Sequence, residues 1–168
     1  MKILSWTGAV AVAVAAGAFV FGGGAQAAES PSASSLVEDY SYPGAAQILA
    51  KDELKLIGGD GHIMFTKRIN PLTEVQCQTT EIQVEQFVAG GSGWYYCFKT
   101  IGTTGVLTLE VPATYGVRSG ANPLYVSADL SQGADPDPIL VPANTPVGIY
   151  PGSGNEEPEA VLVEIRLA

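Results

Sequence analysis

The chain has 168 residues, with 17 acidic side chains against eight basic ones and a formal net charge of −9. That balance argues against nucleic acid, anionic lipid or any polyanion as a partner held by charge alone, and it fits a protein kept dispersed as a monomer by self-repulsion. One histidine and two cysteines supply too few nitrogen and sulfur ligands for an ordinary zinc site, and no cofactor motif occurs.

The N-terminus carries Lys2, then an apolar run from Ile3 to Phe21, three glycines and Ala25-Gln26-Ala27. This pattern predicts a signal peptide over 1–27, cut after Ala27 or after Ala28, because signal peptidase admits only small side chains at the two positions Ala25 and Ala27 fill. The competing reading is a membrane anchor, since the run approaches the roughly 20 residues a bilayer requires. Alanine and glycine are weakly hydrophobic, which favours the signal. Removing Lys2 with the signal leaves seven basic residues against 17 acidic ones on a mature chain that the sequence predicts to be secreted and free of the membrane. The polar stretch 28–36 reads as a disordered leader, and 37–168 as a single domain of ordinary size.

Pro43 suits a helix start, and Ala45, Ile48, Leu49 and Asp52 share one face, so a short helix from Pro43 to Asp52 is expected. Leu54–Ile57 and His62–Ile69 read as strands, and Gly58-Gly59-Asp60-Gly61 between them predicts a hairpin. From Glu81 to Pro112, three runs rich in β-branched and aromatic residues are separated by glycine-bounded loops, which predicts a three-stranded antiparallel meander. Further short strands are expected at Tyr115–Arg118 and Leu124–Ala128. Ile139–Val141 and Val147–Tyr150, flanked by Pro142 and Pro146, are edge strands at best. The segments 131–138 and 152–158 read as loops. Val161, Val163, Ile165 and Leu167 alternate with Leu162, Glu164 and Arg166, the period of a half-buried C-terminal strand. Strands at this spacing, with a single helix, predict an all-β fold, an antiparallel β-sandwich or small barrel with one short N-terminal helix.

Within the meander, the register that buries most sets Val88 opposite Trp94, Gln86 opposite Tyr96, Val84 opposite Phe98 and Ile82 opposite Thr100, with Phe98 then meeting Leu109 and Tyr96 meeting Val111. Ile82, Val84, Val88, Trp94, Tyr96 and Phe98, with Leu109 and Val111, then form a core face. Glu85, Phe87, Tyr95, Cys97 and Lys99 occupy the other. Export to an oxidising compartment and an even count of two predict a disulfide between Cys77 and Cys97, with the Cys77 loop folded across that second face.

Chemistry is sparse. His62 follows Asp60 in a glycine-rich turn, yet no nucleophile elbow accompanies it, so a Ser-His-Asp hydrolase is disfavoured. The same turn lacks the Lys-Ser/Thr of a phosphate loop. Asp129, Asp135 and Asp137 offer oxygens for calcium, but their spacing is not an EF-hand's and the prolines among them fit a stiffened connection equally well. Trp94 and Tyr96 are claimed by the core, which leaves Tyr95, with Phe87 and Lys99, as the candidate binding surface. Tyr40 and Tyr42 either join it or cover a sheet edge.

The stretch Asp39-Tyr40-Ser41-Tyr42-Pro43-Gly44-Ala45-Ala46-Gln47-Ile48-Leu49, then Leu56 to Ile63, Cys97-Phe98-Lys99 and Leu109-Glu110-Val111-Pro112, resembles small secreted proteins of actinobacteria. That resemblance implies secretion and brings no catalytic residues with it. Two function classes follow: a secreted non-catalytic module that binds an extracellular protein or polysaccharide through exposed aromatics, and alternatively an extracellular carboxylate-dependent hydrolase.

Overall fold

In a computed structural model, the structure describes residues 40–74, 76–90, 93–130, 137–149 and 160–168. The segments expected to be a signal peptide and a leader, together with Asp135 and the expected loop 152–158, lie outside the described residues. Those described form one helix, α1 (Ala45–Asp52), and ten strands: β1 (Lys55–Gly59), β2 (Ile63–Ile69), β3 (Ile82–Gln86), β4 (Trp94–Thr100), β5 (Val106–Val111), β6 (Thr114–Arg118), β7 (Leu124–Asp129), β8 (Ile139–Val141), β9 (Pro146–Gly148) and β10 (Val161–Leu167). The strands make two five-stranded antiparallel sheets, one ordered β1-β5-β10-β7-β8 and the other β2-β4-β3-β6-β9, packed as a sandwich and not closed as a barrel. Among the described residues no helix is long and apolar enough to cross a membrane.

A single buried cluster fills the space between the sheets. Leu107, Leu109, Leu124, Val126, Leu162 and Ile165 come from the first sheet, and Ile63, Ile82, Val84, Tyr96, Phe98 and Val117 from the second. β5 shows the cause most plainly: Leu107, Leu109 and Val111 are buried while Val106, Thr108 and Glu110 are half-buried, the period of two that a strand imposes.

Two expected pairings are overturned. β1 and β2 are not a hairpin, since β1 pairs with β5 and β2 pairs with β4 in the opposite sheet. Asp60 and Gly61 carry the chain across the sandwich instead. One Asp60 oxygen accepts the His62 N–H at 3.0 Å and the other the Val106 N–H at 3.0 Å, while Gly61 takes φ 82°, open to glycine at little steric cost. The meander likewise stops after two strands, because β5 leaves for the first sheet. Leu109 and Val111 therefore bury against the core from the opposite sheet, not as neighbours of Phe98 and Tyr96.

The β3–β4 register is two residues from the expected one: Gln86 faces Trp94, Val84 faces Tyr96 and Ile82 faces Phe98. A slip of two leaves every side chain on its face. Ile82, Val84, Tyr96 and Phe98 are thus buried as expected, with Trp94 packed at the margin, and only Val88 is lost, exposed beyond the end of β3.

β10 lies in the middle of its sheet, between β5 and β7, and a register shift between Leu162 and Glu164 changes its phase. Leu162 joins Ile165 and Leu167 in the core, whereas Val161 and Val163, expected on that face, are half-buried. β8 and β9 are edges, as their flanking prolines require. Tyr40 to Tyr42 runs beside β1, where the Gly59 N–H donates to Tyr40 O at 3.0 Å and the Tyr42 N–H to Ile57 O at 3.1 Å, so this segment covers a sheet edge. α1 starts at Ala45, after Gly44 in a left-handed conformation, and packs Ala45 and Ile48 against the core, with Leu49 exposed.

Candidate binding face around the disulfide

The outer face of the second sheet carries the side chains that alternate with the core set. Cys97 faces Lys67 on β2 and Gln83 on β3, and Tyr95 faces Ile69 and Glu85. Cys77 is bonded to Cys97, with Cα atoms 5.6 Å apart, and the two cysteines and Ile69 form a small buried cluster against which Tyr95 packs. The disulfide is thereby a floor under the tyrosine ring.

A polar network fixes the loop that delivers Cys77. The Cys77 N–H donates to Gln83 Oε1 at 2.9 Å, and Gln83 Nε2 donates to Glu85 Oε1 at 2.7 Å. Arg118, on β6, donates from one terminal nitrogen to Cys77 O at 3.1 Å and to Gln78 O at 3.2 Å. Glu81 accepts from Thr66 Oγ1 at 2.8 Å and from the Gln78 N–H at 3.0 Å. Gln83, Glu81 and Arg118 are buried, and their hydrogen bonds offset the desolvation that burial of polar groups costs.

β6 adds a residue to this face through an irregularity. Glu85 faces Gly116 and Gln86 faces Thr114, so Tyr115 has no partner across the ladder. Thr114 turns inward, its hydroxyl donating to Val111 O at 2.7 Å, and Tyr115 falls beside Tyr95 and Glu85. Burial, together with the neighbouring Tyr95 hydroxyl and Glu85 carboxylate, pushes the Tyr115 phenol well above its ordinary value, so it stays a proton donor. Gly116 makes the space: a Cβ there would come within 2.9 Å of a Glu85 carboxylate oxygen.

The three residues predicted for this surface separate in the structure. Tyr95 sits at its centre, half-buried. Lys99 is exposed four residues along the same strand, about 13 Å away at about 3.3 Å per residue, and faces Met64. Phe87 is half-buried past the end of β3, its N–H donating to Ala113 O at 2.9 Å. Tyr115 and Glu85 take their places. Sequence reasoning set Glu85 on the right face but had no means to bring β6 beside β3, and the only local signal was a glycine following a tyrosine in a strand.

The remaining candidates are used structurally. Trp94 lies at the margin of the core with the Arg68 guanidinium 4.3 Å from its ring centroid, and Arg68 also donates to Glu53 at 2.7 Å. Tyr42 is buried, its hydroxyl accepting the Phe65 N–H at 2.7 Å. His62 is exposed with Nδ1 3.3 Å from Asp60, whose oxygens hold the turn. Asp129 and Asp137 belong to no group of three convergent metal-ligating atoms among the described residues.

No protein-family model matches this chain, and no curated protein resembles it significantly in sequence.

Proposed function

We propose that this is a secreted, non-catalytic binding module that holds an extracellular ligand on the outer face of its second sheet, at Tyr95, Tyr115 and Glu85. The observation that carries the reading is the disulfide beneath Tyr95, with the Gln83 and Arg118 bonds that immobilise its loop. Preorganised aromatic and polar groups lose little entropy on binding, and aromatic rings on a rigid sheet serve sugars and protein anchors alike. Together they offer a ring face for C–H groups, a phenolic donor and a carboxylate acceptor, a set suited to a neutral polysaccharide. A net charge of −9 adds repulsion against acidic polymers.

The test is calorimetric titration of the full chain with neutral and acidic cell-envelope polysaccharides. Neutral polymers are expected to bind, and Tyr95→Ala is expected to weaken binding about tenfold, the worth of one lost stacking contact. Equal affinity in wild type, Tyr95→Ala and Tyr115→Phe would remove this face as the site. Secretion is checked by sequencing the N-terminus of the protein recovered from culture medium, where Ala28 or Glu29 is expected.

A further inference from the structure

We propose that the dithiol form of this protein binds one zinc-like divalent cation through Cys77 Sγ, Cys97 Sγ and a Glu81 carboxylate oxygen. The three ligand atoms lie within 4.8 Å of one another and all three residues are buried. In a tetrahedral site with bonds of about 2.0–2.3 Å, ligand atoms stand about 3.5 Å apart. Small side-chain rotations therefore suffice. Glu81 is already aimed by Thr66 and Gln78, the outer contacts that orient a ligating carboxylate and set its affinity. Gln76 and Gln78, on either side of Cys77, are exposed, so an ion enters from the loop side and water fills the fourth position.

A second observation points to the same place. Arg118 is only 8% exposed and spends one terminal nitrogen on the Cys77 and Gln78 carbonyls, while its Nε has no acceptor. Among the described residues no carboxylate forms an ion pair with it. A disulfide is neutral and gives this buried cation nothing. Two thiolates and one carboxylate carry three negative charges, which a divalent cation and Arg118 together cancel. The uncharged sum is the condition under which a buried cluster of ions is tolerated.

The redox step balances with a dithiol as reductant: the S–S bond accepts two electrons and two protons from the dithiol, which closes its own disulfide, and Cys77 and Cys97 become thiols. Metal binding then displaces two thiol protons to solvent. The disulfide and the metal exclude each other, so a chain that captures zinc before oxidation is protected from forming the bridge.

The experiment reduces the full chain with a phosphine, which takes its oxide oxygen from water, removes the reagent without air, and titrates cobalt(II) and then zinc(II). One cobalt per chain is expected, with the visible bands of a tetrahedral thiolate complex, displaced by zinc. The oxidised chain is expected to give none. Glu81→Gln is expected to lower cobalt affinity at least tenfold, and Glu81→Asp, which keeps the charge and withdraws the oxygens, guards against a glutamine variant that fails to fold. No thiolate bands, equal affinity in wild type and both variants, or a near-ultraviolet dichroism lost on reduction and not restored by metal would each overturn the proposal.

Discussion

At the scale of single residues, the side chains with the most to lose are polar groups that close a turn or a strand end. Burial opposes ionisation of Asp60, but the N–H groups of His62 and Val106, with the His62 ring, outweigh it and hold the carboxyl below its usual value. A depressed folded value means stability that is complete above the unfolded value, near about 4, and lost as pH falls through the folded one. We expect Asp60→Ala to cost about 1 kcal/mol at neutral pH, modest because the group is partly exposed. Urea unfolding is expected to show a shallower acid decline in the variant below about pH 4. An unchanged acid limb would remove Asp60 as its source. Tyr96 is the inner-face counterpart. Burial raises its phenol, and its hydroxyl donates to Gln86 Oε1 at 2.9 Å, while Gln86 Nε2 donates to Pro112 O at 3.1 Å. Tyr96→Phe is expected to lower stability by about 1 kcal/mol, since it leaves Gln86 without its donor.

At the scale of elements, the disulfide and β10 carry unequal weight. Cys77–Cys97 closes a span of 20 residues, for which the chain-entropy model gives about 3 kcal/mol. Cys77→Ser with Cys97→Ser is expected to lower the denaturant midpoint by that equivalent and to leave the sandwich folded, because its main core does not include the cysteines. β10 is different. It bridges β5 and β7 at the centre of one sheet and contributes Leu162, Ile165 and Leu167 to the core. Removing residues 160–168 would expose two strand edges and open the core, so we expect a truncated chain with no cooperative unfolding transition by circular dichroism.

For the molecule as a whole, the governing property is that most strands paired in space are not consecutive in sequence, β3–β4 and β7–β8 excepted. β1 meets β5, β5 meets β10 and β3 meets β6, each closure costing entropy before burial compensates for it. Refolding by stopped-flow fluorescence is therefore expected in the slow regime of β-sandwiches, about milliseconds to seconds, and a microsecond phase reporting the whole transition would contradict this topology.

The sequence by itself determined the local quantities. The single helix, nearly every strand, the disulfide and the division of β3 and β4 into a core face and an outer face follow from period, propensity and cysteine count, because those are set within a few residues of each position. The tertiary structure alone decided which strand lies beside which. Asp60-Gly61 and the loop from Gly102 to Gly105 mark turns that read equally well as hairpins or as crossings between sheets, since either leaves Leu56, Leu109 and Val111 buried, and local patterning rewards burial without regard to the partner that provides it. The candidate site suffered from the same indifference. Tyr95 was legible on the outer face, but Tyr115 reaches it only because β6 pairs with β3 and slips by one residue opposite Glu85, a contact between segments about thirty residues apart that no short window contains.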